Sequence, residues 1–216
     1  MSDVSVNVCP LCGNAGEKQA VFGPNEWVYR LCGTCRLVFM ESASLPFPEA
    51  EKQRYLKHEN TADNSGYIKS LNRAVEPAMA FLKAGGAGLD YGCGPGPVLA
   101  KLLESRGFAC DNYDPFFFPA IDKTRAYDFI FATETLEHFF NPAVEIRRMF
   151  SLLQKGGHLA VMTKLWKDTG SFKDWSYARD FTHVVFYHAD TFKWISSRFE
   201  AAIVYENSED VVILQK

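Results

Sequence analysis

The stretch GLDYGCGPG, residues 88–96, holds four glycines and one proline in nine positions, where a buried strand is predicted to end. The next segment, residues 97–107, has apolar side chains at helical spacing and is stopped by Gly107. A glycine-rich turn between a strand and a helix lets a ligand approach the backbone at the helix N-terminus. The stretch therefore predicts a nucleoside-binding turn; a turn that only requires positive φ angles would use the same residues.

Acidic residues on both sides of this turn indicate which ligand it suits. Asp114 lies eighteen residues after Gly96, at the end of the second predicted strand, where a carboxylate can accept hydrogen bonds from both hydroxyls of a ribose. A dinucleotide fold would need the GxGxxG register, whereas the glycines here are Gly92, Gly94 and Gly96. Asp90, two positions before the first of them, would repel a pyrophosphate and suits a cationic amino acid head group.

Short β-type segments alternate with helical ones from residue 88 onward, which is typical of an α/β protein with a mostly parallel sheet. Strands are predicted at residues 87–92, 108–114, 127–133, 158–165, 200–207 and 210–216. Helices are predicted at residues 97–107, 141–157 and 189–199. The last two strands are short and β-branched enough to close the sheet as a hairpin.

Three ordered motifs carry a family resemblance: LDYGCGPG at 89–96, YDFIFATETLEHF at 127–139 and LLQKGGHLAVMT at 152–163. They resemble motif I, the fourth-strand motif and the fifth-strand motif of class I S-adenosylmethionine-dependent methyltransferases, over residues 82–216. The resemblance implies a Rossmann-like, seven-stranded sheet between helices, with the third strand at one edge and a reversed strand at the other. It also implies an enzyme that binds S-adenosylmethionine and releases S-adenosylhomocysteine.

A second likeness is to zinc-ribbon methyltransferases of the type 11 and type 23 groups. These have a D-x-T-H segment, similar to residues 180–183, before the final helix. Their relatives include quinone-biosynthesis methylases and sugar C-methyltransferases. The likeness implies a small-molecule acceptor, such as a sugar, a quinone-like compound or another metabolite.

One segment departs from the family pattern. Tyr127 lies only thirteen positions after Asp114, where the family fits a helix, an edge strand and a loop. We therefore predict that the third strand is missing, that the sheet has six strands and that the second strand forms its edge. The run PFFFP, residues 115–119, is predicted to cover this edge or the adenine, with Pro115 and Phe116 as an apolar wall.

Polar residues of the fourth-strand motif are further candidates, because ligands of open α/β sheets collect at the carboxyl ends of the strands. Thr133 and Glu134 are expected to line the cofactor. His138 is a candidate base, with an ordinary hydrogen-bonded histidine as the alternative. Glu137 has the same two interpretations, because the helix dipole alone favours a carboxylate near a helix start.

Residues 166–188 are dense in Trp, Tyr, Phe and His and are predicted to roof the methyl donor. His183 is the first candidate for the general base, and Tyr187 is a second candidate for polar chemistry. Three further residues are predicted to position them: Tyr177, Arg179 and Asp180. A hydrophobic lid or a dimer patch is the alternative interpretation of this segment.

The segment before motif I is predicted to fold over the active site and to bring four residues near the cofactor: Tyr55, His58, Asn60 and Tyr67. Solvated helix positions are the alternative, which we favour for all of them except Tyr67. A helix is predicted here from apolar residues at helical spacing: Ile68, Leu71, Val75, Met79 and Leu82. Pro77 is expected to kink or restart that helix.

Four cysteines near the N-terminus form two CxxC pairs separated by nineteen residues: Cys9, Cys12, Cys32 and Cys35. This spacing is typical of two zinc knuckles that supply four thiolates to one tetrahedral ion. Disulfides or a redox pair are the alternatives. Four ligands leave no open position, so the zinc is predicted to be structural, and the ribbon either staples a segment with little core or contacts substrate or another chain.

Charge and composition bound the remaining functions. The 216 residues carry a net charge of −3, so no global positive field draws the chain to nucleic acid or to an anionic membrane. Residues 1–73 hold eight Lys plus Arg against eight Asp plus Glu, which lacks the basic footprint that RNA binding usually needs. An RNA methyltransferase with a zinc-ribbon recognition module is therefore the second candidate, and a non-catalytic cofactor-binding module is the third.

The chain is predicted to divide into a zinc ribbon at 1–40, a helical connector or cap at 41–84 and an S-adenosylmethionine-binding domain at 85–216. Its apolar runs are far shorter than the ~20 residues needed to span a bilayer. Residues 1–10 lack the basic start and apolar run of a signal peptide. We expect a cytoplasmic enzyme that acts on a small molecule, not on nucleic acid or at a membrane.

Overall fold

The computed structural model describes residues 8–56, 61, 63–122 and 124–216. Its strands, numbered in chain order, are β1 (Gln19–Phe22), β2 (Val28–Leu31), β3 (Val38–Met40), β4 (Ala87–Tyr91), β5 (Ala109–Tyr113), β6 (Tyr127–Thr133), β7 (Leu153–Met162), β8 (Val185–Phe186), β9 (Ala202–Glu206) and β10 (Val211–Gln215). Its α-helices are α1 (Pro48–Tyr55), α2 (Ser65–Ala78), α3 (Val98–Glu104), α4 (Pro142–Leu152) and α5 (Ala189–Arg198). None of these helices, within the residues described, has the length and apolarity needed to cross a membrane.

Six strands form the main sheet, in the order β5-β4-β6-β7-β10-β9. The first four run parallel, and β10 runs antiparallel to both of its neighbours. This confirms the predicted α/β fold with a six-stranded, mostly parallel sheet. It also confirms that β5, the second strand predicted in this domain, lies at one edge.

The reversed strand lies one place inside the opposite edge, so its expected position at the edge is wrong. The strands β9 and β10 are joined by a tight turn, in which Asn207 Oδ1 accepts the backbone N–H groups of Glu209, Asp210 and Val211. This turn folds β10 back along β9, and β10 then pairs with β7. The first strand of the hairpin is therefore left outside as the edge.

The segment after β5 turns back at once and adds no strand. The backbones of Asp114 and Phe118 exchange two hydrogen bonds, of 3.0 and 2.9 Å, around the turn at residues 115–117. Among the described positions between 115 and 126, none belongs to a strand. The missing third strand is thus confirmed among the described residues, and β5 forms the edge of the sheet.

Alternate side chains of β6 show that the sheet is buried on both faces. Phe129 and Phe131 pack in one core with residues of α2 and α3. Ile130 and Ala132 belong to the core on the other face, with residues of α4, α5 and the N-terminal strands. Close packing also explains Gly88 on β4, because a Cβ there would come within 1.8 Å of the Phe129 ring.

Helix α2 confirms the helix that the apolar spacing predicted, and Pro77 lies in its last turn. Asn64 caps the helix by accepting the Tyr67 N–H at 3.1 Å. The helix then runs to Ala78, one residue past the proline, whose missing N–H falls in the last turn. Its buried face, which includes Leu71, packs against the sheet.

The N-terminal strands form a second sheet, β1-β2-β3-β8, whose last strand comes from the distant segment 166–188. The strands β3 and β8 pair antiparallel at two positions. Trp166 Nε1, also in that segment, donates to the carbonyl of Arg36 at 3.2 Å. Cys9 and Leu37 lie in the same buried core as β6 of the main sheet. The N-terminal segment is therefore packed onto the roof of the main domain.

Candidate active site

A cavity of about 600 Å³ opens at the carboxyl ends of β4, β5 and β6. Ligands of open α/β sheets bind at this place, and the volume lies within the roughly 300–1,000 Å³ of small-molecule sites. The cavity brings together many residues that the sequence singled out: Tyr55, Tyr67, Asp90, Gly92, Gly94, Asp114, Pro115, Phe116, Thr133, Glu134, Glu137, His138, Asp180 and His183.

The glycine turn after β4 forms the floor of the cavity. Gly92 has φ +85°, and a Cβ on it would come within 2.2 Å of the Thr135 side chain. Gly94 has φ +64°, with open space where a Cβ would stand. A side chain at Gly94 would therefore stand where a ligand needs to approach. The turn is a cradle that a ligand can approach closely.

Asp114 anchors this cradle from the end of β5. Its Oδ2 accepts the Gly94 N–H at 3.1 Å. Its Oδ1 accepts the backbone N–H groups of Phe116 and Phe117 at 2.8 and 3.1 Å. Two carboxylate oxygens offer about four acceptor sites, so the carboxylate keeps capacity for a hydroxyl donor.

Asp90 is the second acidic group of the cavity and is almost wholly buried. Burial, and then the negative charge of Asp114, raises the pKa of Asp90 to about 7. Since two carboxylates share a confined site, a positively charged ligand group is favoured here and a pyrophosphate is disfavoured.

Aromatic side chains wall the other side of the cradle. Pro115 and Phe116 line the cavity, and the Tyr55 ring of α1 lies 6.0 Å from the Phe116 ring, centroid to centroid. The Tyr55 hydroxyl donates to Glu51 Oε1 at 2.5 Å, and Glu51 is itself buried in the cavity wall. Burial raises the pKa of the Glu51 carboxyl. Sequence reasoning missed Glu51 because it stands in a polar helix with no motif around it.

An ion pair holds α1 against the roof of the cavity. Arg54 Nη2 lies 2.7 Å from Asp180 Oδ2. Burial opposes ionisation of Asp180, but hydrogen bonds from Thr182, the electrostatic interaction with His183 and the hydrogen bond from Arg54 outweigh it and lower the pKa of Asp180 to about 2. The same carboxylate accepts the backbone N–H and the hydroxyl of Thr182, which fixes the turn that leads into His183.

Two glutamates at the end of β6 share a tyrosine. Glu134 has φ +50°, and its N–H donates to the Met162 carbonyl at 2.7 Å. The Tyr177 hydroxyl donates to Glu137 Oε1 at 2.5 Å and lies 3.1 Å from Glu134 Oε2. Glu137 is fully buried, and burial, followed by the charge of Glu134, raises its pKa to about 8. Tyr177 is thus a positioning residue that orients both carboxylates.

Two histidines lie beside Glu137 in the cavity wall. His138 Nδ1 lies 3.0 Å from the Thr182 carbonyl, and His183 Nδ1 lies 2.7 Å from the Tyr177 carbonyl. Their ring centroids are 4.8 Å apart. One nitrogen of each ring and one oxygen of Glu137 all lie within 4.8 Å of one another. We call Glu137, His138 and His183 the cavity cluster.

Some predicted site residues lie elsewhere. Tyr187 is fully buried, its hydroxyl donates to the Leu136 carbonyl at 3.2 Å, and it does not line the cavity. Gly96 does not line the cavity; its carbonyl accepts the Val98 N–H at the start of α3. Arg179 is exposed and also lies outside the lining. Two further candidates, His58 and Asn60, lie outside the described residues.

The four N-terminal cysteines, which we call the cysteine cluster, converge although they come from two separate turns. The sulfur atoms of Cys9 and Cys35 are 3.6 Å apart, and those of Cys12 and Cys32 are 3.5 Å apart. All four sulfurs lie within 4.8 Å of one another, and none forms a disulfide. Sulfur ligands of one tetrahedral zinc are about 3.8 Å apart when each bond is ~2.3 Å. The donor set therefore fits a zinc ion.

Comparison with known families matches residues 59–206 to the family described as a methyltransferase domain. The match covers more than half of the chain. A comparison with curated protein sequences finds no match.

Solved structures share the fold at low sequence identity. The 1,6-didemethyltoxoflavin-N1-methyltransferase of Burkholderia thailandensis, with bound 1,6-didemethyltoxoflavin and S-adenosylhomocysteine, is 13% identical with a TM-score of 0.56. That alignment covers 93% of this chain and 99% of the Burkholderia chain. A chain of the Haloferax volcanii complex between a methyltransferase activator and a methyltransferase is 8% identical with a TM-score of 0.51, over 76% of this chain and 96% of that one.

Proposed function

This chain belongs to the methyltransferase domain family, and from that membership we propose that its cavity transfers a methyl group from S-adenosylmethionine to a small-molecule acceptor. One observation carries the proposal. A glycine cradle with open space above Gly94 stands between two buried carboxylates, Asp90 and Asp114, in a cavity of about 600 Å³.

The residues of the cradle fit the parts of S-adenosylmethionine. Asp114 would accept the ribose hydroxyls, and Asp90 would face the positively charged amino acid end. Pro115 and Phe116 would flank the adenine ring. Four further lining residues would complete the cofactor site: Tyr67, Gly92, Thr133 and Glu134.

Bound S-adenosylmethionine supplies a methyl group already activated on a sulfonium sulfur. The chain therefore has to hold the acceptor in line with that methyl group and to exclude water. The cavity cluster lies in the same cavity as the cradle and offers the polar groups that can face an acceptor. Tyr55 and Arg54 of α1 help to close the site, the latter through its ion pair with Asp180.

The size and charge of the site support a small acceptor over an RNA. Arg54, a basic side chain that reaches the roof, is already paired with Asp180. The lining contributes carboxylates at Glu51, Asp90 and Asp114, which would repel a phosphate backbone.

We also infer that the cysteine cluster holds one structural zinc ion. Cys9, Cys32 and Cys35 are buried, and the strands between the two pairs are short. Zinc would fix the turns and thereby position β3. Strand β8, which belongs to the segment that forms the roof of the cavity, pairs with β3.

The test of the proposed function is incubation of the purified protein with radiolabelled S-adenosylmethionine and fractionated cell extract. Label is expected in a fraction of low molecular mass, and nuclease treatment of the extract should not reduce it. The matched control is Asp114→Asn, which should lower the incorporation. Label that appears only in nuclease-sensitive material would favour the RNA methyltransferase, and no label in any fraction would favour the non-catalytic cofactor-binding module.

A further inference from the structure

The cavity holds a set of ligand atoms that methyl transfer by itself does not require. Glu137 contributes an oxygen, and His138 and His183 contribute a nitrogen each, all within 4.8 Å of one another. Two imidazoles and a carboxylate are a typical donor set for a divalent transition metal such as zinc, iron, cobalt or manganese. The question is whether these atoms present their lone pairs to a common point.

The imidazoles are held in the tautomer that a metal requires. In each ring Nδ1 lies at hydrogen-bond distance from a backbone carbonyl, of Thr182 for His138 and of Tyr177 for His183. A carbonyl oxygen only accepts, so Nδ1 carries the hydrogen, and a neutral ring with the hydrogen there has its lone pair on Nε2. Metal-binding histidines are oriented in this way, with the second ring nitrogen donating to a carbonyl or a carboxylate.

The carboxylate is oriented by hydrogen bonds on both oxygens. Glu137 Oε1 accepts from Tyr177 at 2.5 Å, and Oε2 accepts from Thr163 at 2.9 Å. His138 Nε2 lies 4.0 Å from Glu137 Oε1, which is too long for a hydrogen bond. It is within the ~4.2 Å that two ligands can span when each is about 2.1 Å from one ion.

Burial adds a reason for a cation at this place. Glu137 is fully buried, and Glu134 shares its tyrosine partner at 3.1 Å. A fully buried carboxylate is costly unless a positive charge or hydrogen bonds compensate it, and the charge of Glu134 beside it adds to that cost. A divalent ion between Glu137 and the two imidazoles would supply a positive charge.

The two segments that carry the ligands are fixed to each other before any ion binds. Glu137 and His138 stand on the short helical turn Leu136–His138. The backbone N–H of Val184, next to His183, donates to the Glu137 carbonyl at 2.8 Å. This tie, together with the hydrogen bonds to the side chains, pre-organises the cluster.

The geometry points to a divalent metal site on Glu137, His138 and His183, which holds the acceptor through an oxygen atom in an open coordination position facing the cavity. The assignment of the acceptor as an alcohol, enol or phenol rests on the proposed methyltransferase function; the metal site does not. In the transfer, the acceptor hydroxyl gives its proton to water and its oxygen forms a bond to the methyl carbon. The carbon–sulfur bond breaks, its electron pair stays on sulfur as the neutral thioether, and the product is a methyl ether.

Calorimetric titration with Co²⁺ of the full chain, with the cysteine cluster loaded with zinc, tests this site. The wild-type protein is expected to bind about one additional equivalent. His183→Gln and Glu137→Gln should each weaken that binding by at least about tenfold. The control is His188→Asn, because His188 caps α5 away from the cavity and Asn retains an N-cap acceptor; it should bind Co²⁺ like the wild type.

The outcomes separate the metal site from the proposed function. Absence of Co²⁺ binding in the wild type, or wild-type affinity for Co²⁺ in both ligand variants, would overturn the metal site, whatever happens with S-adenosylmethionine. Where one variant fails to fold, as judged by circular dichroism, His138→Gln replaces it. If Co²⁺ binds but S-adenosylmethionine does not, the proposed function fails and the metal site stands. Full methyl transfer to a hydroxyl acceptor in excess chelator would overturn only the claim that the metal ion holds the acceptor.

Discussion

The cysteine cluster and the cavity cluster both bring metal-type ligands together, but they differ in number, chemistry and surroundings. The first has four sulfurs that surround one point, three of them on buried residues. The second has one oxygen and two nitrogens on the wall of a cavity of about 600 Å³. Four ligands complete a tetrahedron and suit a structural ion, whereas three ligands beside open space leave room for a substrate.

The two clusters are also held in different ways. The cysteines stand on backbone turns, with the Gly13 and Arg36 N–H groups donating to the carbonyls of Cys9 and Cys32. The members of the cavity cluster are held through their side chains, by the Tyr177 hydroxyl and by backbone carbonyls. Loss of a ligand is therefore expected to damage the fold in the first cluster and the chemistry in the second.

The largest expected effect is on the cysteine cluster. Cys32→Ser should release the zinc ion, because a hydroxyl does not replace a thiolate, and should unfold the sheet that carries β3 and β8. Metal analysis should find about one equivalent of zinc lost. Thermal unfolding should show a midpoint roughly 10 °C or more lower, since each kcal/mol shifts it by about 2–4 °C in a domain of this size.

The control for that experiment is Cys110→Ala, which removes a buried thiol from β5, in a different hydrophobic core from the cysteine cluster. It should keep the zinc and cost about 1 kcal/mol. A Cys32→Ser protein that retains zinc and the wild-type melting point would contradict a structural role for the cluster.

The second-largest expected effect is a loss of S-adenosylmethionine affinity when the cradle is altered. Asp114→Asn should weaken S-adenosylmethionine binding by about 1.5–3 kcal/mol, which is roughly 10- to 100-fold, because hydrogen bonds to a charged group are lost. The matched control is Asp111→Asn on β5, whose carboxylate contacts Arg125 and Tyr127 and does not line the cavity. Calorimetry that shows the larger loss for Asp111→Asn would move the ribose site to that residue.

The pH dependence of cofactor binding tests whether the ionised Asp90 carboxylate holds the cationic ligand group. Burial, and then the Asp114 charge, raises the pKa of Asp90 to about 7, and the other titratable groups that interact with it are Tyr67, Cys93 and Cys110. A cationic ligand favours the ionised carboxylate, so affinity should be full above pH 7 and fall by roughly tenfold per unit below it. Titrations between pH 5.5 and 8 should show this slope, and Asp90→Asn should flatten it.

The smallest expected effect concerns Tyr187. Tyr187→Phe removes the hydroxyl that donates to the Leu136 carbonyl, so it should cost about 0.5–1.5 kcal/mol of unfolding free energy. Methyl transfer should be unchanged, because the hydroxyl is buried outside the cavity. The paired variant is Tyr177→Phe, which should lower activity because Glu137 loses a hydrogen bond. Equal activity losses in the two variants would contradict the assigned positions.

The cysteine cluster and the missing strand could both be predicted from the sequence. The cysteine cluster was predictable because its ligands lie in two CxxC pairs with a familiar spacing. The missing strand was predictable because the twelve residues between Asp114 and Tyr127 cannot hold a crossover helix and a strand. In both cases short-range spacing determines the outcome.

Long-range pairing escaped the sequence. His138 and His183 were each singled out, but 45 positions separate them, and only the fold shows that they share one point with Glu137. The two-residue strand β8 has no periodicity to reveal it and forms only because β3 offers an edge. Tyr187 was predicted as a site residue because its neighbours in the sequence are aromatic, yet tertiary packing buries its side chain in the core.

The central claim is that the cradle between Asp90 and Asp114 holds the methyl donor and faces the cavity cluster. A crystal structure of the full chain grown with S-adenosylhomocysteine tests it most directly. The account predicts the ribose hydroxyls on Asp114, the adenine against Phe116 and the sulfur atom turned toward His138 and His183. Adenine seated away from Phe116, or a ribose held by another residue, would contradict it.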